Sequence, residues 1–137
     1  MILRSESEGT LMSKSKILIV DDEEALRFLL ASELEAEAFT VQSAGDGDEA
    51  IEMIRKQKDR GEKYDVILLD IKMPRVDGFE VLKFVKSSVP ETKVIMLTAY
   101  ADVKNAIESL RQGASDFVSK PYDLDDILTS INRALGK

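Results

Sequence analysis

The sequence predicts an α/β fold, a doubly wound (βα)5 domain on a five-stranded parallel sheet. Three observations predict it. Five short strand-like runs are each followed by a segment with helical spacing, and strands alternating with helices imply a parallel sheet with right-handed crossovers and helices on both faces. The runs at 17–20, 66–69 and 94–97 are uninterrupted apolar residues, the pattern of strands covered on both sides. Four of the five end at a residue that carries chemistry: Asp21-Asp22 after Ile17–Val20, Asp70 after Val66–Leu69, Thr98 after Val94–Leu97, and Lys120-Pro121 after Phe117–Ser119.

Residues 1 to about 14 are polar and unpatterned, so a disordered tail is expected there, with Met12 an alternative start and the domain at 15–137. After the first strand, Leu26, Leu29, Leu30 and Leu34 recur at helical spacing to about residue 37. Phe39-Thr40-Val41-Gln42-Ser43 alternates apolar with polar, the mark of a half-covered edge strand. Gly45 and Gly47 mark a loop, and Asp48 is expected to cap a helix carrying Ala50, Ile51 and Ile54 as far as Arg60-Gly61.

Beyond the third strand, Met73–Gly78 reads as a turn, because Pro74 presets one dihedral and Gly78 admits positive φ. A helix with Phe79, Val81, Leu82 and Val85 follows. Asp102 is the expected N-cap of the fourth helix, on which Val103, Ala106, Ile107 and Leu110 share a face before Gly113 ends it. Asp123 precedes the fifth, with Leu124, Ile127, Leu128, Ile131 and Leu135.

Composition narrows the chemistry. The 137 residues suit one domain. With no Cys and no His, the chain lacks disulfides, thiolate ligands and the commonest general base, while hard metals with oxygen ligands stay open to it. A net charge of −7 argues against a nucleic-acid surface. The apolar runs are too short to span a bilayer, and Arg4–Gly9 interrupts any signal-peptide core, so a cytoplasmic location is expected.

Ligands of open α/β sheets bind beyond the carboxyl ends of the strands, so Asp21, Asp22, Asp70, Thr98 and Lys120 are expected to meet in one pocket. Three clustered carboxylates repel one another and call for a cation. Oxygen-only ligands favour Mg²⁺, with Mn²⁺ a substitute, and leave one carboxylate free to act as a nucleophile toward phosphorus. Phosphoryl transfer needs mainly positioning and charge neutralisation. Each residue also has a plainer reading: a turn-forming Asp70, helix-capping Asp21 and Asp22, a solvated Thr98, a surface Lys120.

Val20-Asp21-Asp22-Glu23, Leu69–Pro74 with Asp77-Gly78, Leu97-Thr98-Ala99-Tyr100 and Phe117–Tyr122, in that order and at strand ends, together resemble the receiver domain of two-component response regulators, from about Lys16 to Leu135. Met73-Pro74, Thr98–Val103 and Gly113–Phe117 look most like receivers of nitrogen-regulation-type, enhancer-dependent transcription activators. The resemblance implies a flavodoxin-like sheet of order 2-1-3-4-5. It implies Asp70 as phosphoacceptor, taking the group from the phosphohistidine of a sensor histidine kinase, from a phosphotransfer protein or from a small phosphodonor. Asp21, Asp22, Asp70 and the Lys72 backbone carbonyl would hold Mg²⁺. Lys120, the Thr98 hydroxyl and the Ala99 backbone N–H would hold the phosphoryl oxygens. Such a protein is a signalling phosphoacceptor rather than a multiple-turnover enzyme.

The same resemblance implies a cis bond before Pro121 and a switch in which Thr98 turns toward the phosphoryl group and Phe117 moves inward. Lys72 and Tyr100 would flank the pocket and influence dephosphorylation. The readout surface would be the fourth helix, fifth strand and fifth helix, where Lys104, Glu108, Arg111, Asp116, Asp125, Asp126 and Arg133 offer mixed charges for a homodimer or simply for water. No helix-turn-helix or P-loop sequence occurs in these residues, so an output domain would lie outside them. Two competing classes are a metal-dependent phosphohydrolase, whose familiar Asp-x-Asp pattern is not matched, and a phosphorylation-independent binding module of the same fold. A flavin site lacks its phosphate-cradling loop after the first strand.

Overall fold

Uninterrupted runs of Ile, Leu and Val need cover on both sides, and the fold supplies it with helices on each face of one sheet. The computed structural model describes residues 14–99 and 103–137. In chain order the elements are β1 Lys16–Val20, α1 Glu24–Ala36, β2 Thr40–Ala44, α2 Gly47–Asp59, β3 Val66–Asp70, α3 Gly78–Ser88, β4 Lys93–Ala99, α4 Val103–Arg111, β5 Asp116–Lys120 and α5 Leu124–Ala134. All pairings are parallel and the order is β2-β1-β3-β4-β5. The alternating strand is indeed the edge, although it begins at Thr40 rather than Phe39. The expectations for the tail at 1–13, including Met12, and for Tyr100 and Asp102 lie outside the described residues.

Alternation along each strand splits the core into two layers. Ile17, Ile19, Val66, Leu68, Ile95 and Leu97 pack against Leu30 and Leu34 of α1 and Ile127 and Ile131 of α5. Leu18, Val20, Ile67, Leu69, Val94 and Met96 pack against Ala50 and Ile54 of α2 and Val81, Leu82 and Val85 of α3. Burying each such Leu or Ile stabilises the fold by roughly 1.5–3 kcal/mol. With β1, β3 and β4 clamped in this way, their carboxyl ends form a rigid rim.

Several local expectations are corrected. The cap of α2 is Asp46, whose side chain accepts from the Glu49 backbone N–H, and not Asp48. Gly47 is already helical and lies tight against the loop after β3: a Cβ there would lie 2.5 Å from the Val76 carbonyl oxygen. The turn before α3 takes its positive φ at Arg75 (65°). Gly78 is needed for a different reason, since a Cβ there would lie 2.5 Å from the Asp70 carbonyl oxygen. Asp77 and Asp123 close capping boxes with Glu80 and Asp126.

Two apolar stripes do not face the core as expected. Leu29 is 55% exposed, because Leu30 and Leu34 define the inward line of α1 and a residue 100° away points outward. On α4 the small residues Ala106 and Ser109 are fully buried, while Ile107 and Leu110 are 48% and 41% exposed. Each large residue follows a buried small one, Ile107 after Ala106 and Leu110 after Ser109, and that one-residue step turns it about 100° away from the sheet.

Candidate functional site

β1 and β3 are neighbours, so the residues after Val20 and Leu69 emerge side by side at the carboxyl rim. Carboxylate oxygens of Asp21, Asp22 and Asp70 all lie within 4.8 Å of one another. Asp21 and Asp70 are buried and Asp22 is exposed, so the cluster has a dry floor and an open mouth. β5 brings the counter-charge. Lys120 Nζ lies 3.1 Å from Asp21 Oδ2, 3.4 Å from Asp70 Oδ2 and 3.6 Å from Glu23 Oε1. The Lys120–Pro121 bond is cis.

Backbone donors hold the acids from the other side. Asp21 Oδ1 accepts from the Glu23 N–H at 2.9 Å, just ahead of α1, whose N-cap Glu23 makes no side-chain cap bond. Asp70 Oδ1 accepts loosely from the Lys72 N–H at 3.3 Å. The Ile71 N–H donates to the Leu97 carbonyl and the Gly78 N–H to the Ile71 carbonyl, which ties the loop after β3 to both β4 and α3.

Burial dominates the electrostatics. It pushes Asp70 up from 3.8 to about 6, against the Lys120 ammonium, which lowers it, and together with the nearby Asp21 charge, which raises it further. Burial also works against the charge on Lys120, but Asp70 and Asp21 outweigh it and the net direction is upward. One ammonium therefore serves three acids. The site is poised to take up a cation, and its all-oxygen donor set suits a hard divalent ion such as Mg²⁺.

Thr98 belongs to the same rim, since Asp70 pairs with Leu97, and Thr98 and Ala99 pair with Ser119 and Lys120. Its buried hydroxyl points to the Ala99 carbonyl at 3.5 Å, the outer limit of a hydrogen bond. The exposed Ala99 ends β4. Phe117 pairs with Met96 and packs, half-buried, against the layer of α2 and α3. The structure thus assembles Asp21, Asp22, Asp70 and Lys120 directly, with Thr98 and Ala99 in the adjoining row and Phe117 two residues below Thr98 in the sheet register.

Three residues received no role from sequence alone. Glu23 reaches Lys120. Arg27 Nη1 donates to the Asp21 carbonyl at 2.7 Å. Tyr122 has a buried hydroxyl without a hydrogen-bond partner among the described residues, and burial pushes its pKa up to about 12. The one available signal was position: Glu23 and Arg27 lie within a turn and a half after the acidic pair.

An open doubly wound sheet with three carboxylates and an ammonium gathered at its carboxyl rim defines an α/β module whose ligand site lies beyond the strand ends. The chain belongs to the response regulator receiver domain family, the Asp-phosphorylated modules of two-component signalling, whose profile matches residues 17–132. Among curated relatives it is 40% identical to the regulatory protein AtoC of Escherichia coli over 88% of this chain and 25% of that protein. It is 32% identical to the DNA-binding transcriptional regulator NtrC of Proteus hauseri over 90% of this chain and 25% of that one. The chain therefore spans about a quarter of the length of these relatives. A receiver domain from Clostridium thermocellum superposes with a TM-score of 0.83 at 30% identity, covering 89% of this chain and 94% of that one. The receiver domain of NtrX from Brucella abortus gives 0.79 at 34% identity, covering 88% and 98%. No helix among the described residues is long and apolar enough to cross a membrane.

Proposed function

We propose that Asp70 is the phosphoacceptor and that Asp21, Asp22, Asp70 and the Lys72 backbone carbonyl hold Mg²⁺, with Mn²⁺ as substitute. The observation that carries this reading is Lys120 Nζ at 3.1 Å from Asp21 and 3.4 Å from Asp70, facing three carboxylates within 4.8 Å. An Asp70 carboxylate oxygen attacks the phosphorus of a phosphohistidine on a histidine kinase or phosphotransfer protein, or of a small acyl phosphate. A new O–P bond forms, the bond to the imidazole nitrogen or acetate oxygen breaks, and the leaving group keeps its electron pair. A cation held by these residues would supply neutralisation of charge on the phosphoryl oxygens. Lys120 turns from Asp21 and Asp70 to a phosphoryl oxygen, while the Thr98 hydroxyl and the Ala99 N–H take the others, donors aimed at the charge that appears.

The product is read through α4, β5 and α5. Thr98 leaves the Ala99 carbonyl for the phosphoryl group, and Phe117, two residues lower in register, follows inward. Ile107 and Leu110 give this surface an apolar centre. Its charges support a homodimer less than their number suggests: Arg133 lies 3.5 Å from Asp116, and Arg111 lies 3.9 Å from Glu108, within the same chain. Apolar contact is thus the main attraction for a second copy or an output domain. The module is a switch located in the cytoplasm, with the polar residues before 15 outside its working parts.

Intact-mass measurement after acetyl phosphate and Mg²⁺ tests the reading. A single phosphate adduct on the wild type, absent without Mg²⁺ and absent in Asp70→Asn, is expected; an adduct retained by the variant rejects Asp70. Multiple turnover on a phosphomonoester instead favours a phosphohydrolase.

A further inference from the structure

We infer that Arg27 is a positioning residue for the cation site, acting through the Asp21 backbone. This rests on the metal reading above. Asp21 is 1% exposed, so its carbonyl needs a partner inside the protein, and a buried carbonyl left without one is costly. Arg27 supplies it with the Nη1 bond at 2.7 Å. The geometry follows from helix direction: side chains lean toward the helix N-terminus, so an arginine in the second turn of α1 reaches back over the loop that precedes it.

The same guanidinium braces a second loop. It lies against Gly45, where a Cβ would meet Nη1 at 3.4 Å. That loop is fixed in turn by the Gly45 N–H donating to Glu49 Oε1 at 2.7 Å, and β1 is joined to it by the Asp21 N–H donating to the Ala44 carbonyl at 3.2 Å. Arg27 thus closes a circuit through Asp21, Ala44 and Gly45 that sets where the Asp21-Asp22 backbone sits. Nothing else among the described residues is shown bonding the Asp21 carbonyl.

The sign of the effect identifies the cause. Arg27 is a cation beside an acidic site, so deleting its charge alone strengthens Mg²⁺ binding. Deleting its positioning role weakens it. Mg²⁺ titration calorimetry on the full chain, with melting curves in EDTA alongside, separates the two. Arg27→Gln is expected to bind Mg²⁺ about tenfold more weakly, the lower end of the range for residues that orient metal ligands. Arg27→Lys keeps the charge and one donor but not the flat contact with Gly45, and is expected to fall about threefold below wild type. If Arg27→Gln loses its cooperative melt, Arg27→Lys decides alone. Wild-type or tighter binding by whichever variant decides overturns the inference, and if the wild type itself binds no Mg²⁺ the metal reading falls and takes this inference with it.

Discussion

Replacing the proposed phosphoacceptor should make the cation-free protein more stable. Asp70 sits at about 6 in the folded chain against 3.8 for the free side chain, chiefly because burial disfavours its charge. A carboxyl whose folded-state pKa is raised contributes stability that is fully present below the unfolded value and is lost as pH rises through about 6. At about 1.4 kcal/mol per pH unit, the whole rise corresponds to about 3 kcal/mol of unfavourable carboxylate at neutral pH. Asp70→Asn replaces that carboxylate with a neutral group of the same shape. It also removes one of the three acids around Lys120, leaving Asp21 at 3.1 Å and Glu23 at 3.6 Å, so part of the gain is given back. The net expectation in EDTA at about pH 7.5 is a gain of about 1–3 kcal/mol, read as a Tm higher by about 3–12 °C. The advantage should vanish near about pH 4, where the wild-type carboxyl is protonated. Excess Mg²⁺ should reverse the order, because the cation stabilises only the chain that binds it well. A variant equal to or less stable than wild type in EDTA at neutral pH refutes the claim that Asp70 carries uncompensated charge.

Gly78→Ala places a Cβ 2.5 Å from the Asp70 carbonyl oxygen and 2.8 Å from Ile71 Cα. It should cost about 1–3 kcal/mol in urea unfolding and weaken Mg²⁺ binding as well, whereas an unchanged Mg²⁺ isotherm contradicts the tight coupling of α3 to the acid loop. Lys120→Met removes the ammonium shared by Asp21 and Asp70. Mg²⁺ affinity should rise while the rate of labelling by acetyl phosphate falls by at least about tenfold, and opposite signs in those two measurements are the diagnostic result. Ile107→Asp alters a side chain 48% exposed on α4. It should change stability by less than about 0.5 kcal/mol yet weaken self-association of the phosphorylated protein in sedimentation; an unaffected dimer moves the readout to another surface.

What could be read from the chain follows from which forces act locally. The alternation in residues 39–43 pointed to an edge strand, and β2 lies at the edge, because strand cover is written directly into period-two hydrophobicity. The meeting of Asp21, Asp22, Asp70 and Lys120 was legible for a similar reason: each follows a buried strand, and parallel strands deliver their ends to one rim. Choices between neighbours were not legible. Asp46 and Asp48 are equally good caps by residue type, and the helix starts at the first, where Gly47 fits tightly under Val76 and Arg75 reaches the Asp46 carboxylate. Leu29 and Leu30 are equally apolar, and which one faces inward depends on how α1 is rotated against the sheet. The role of Arg27 needed the path of its side chain across two loops, which no spacing rule encodes.

Reductive trapping locates the phosphorylated side chain. After acetyl phosphate and Mg²⁺, borohydride converts an aspartyl phosphate into homoserine, and peptide sequencing by mass spectrometry then reports the position. Homoserine is expected at residue 70 and nowhere else. Homoserine at residue 21 or 22, or a phosphate that survives on a hydroxyl side chain, contradicts it.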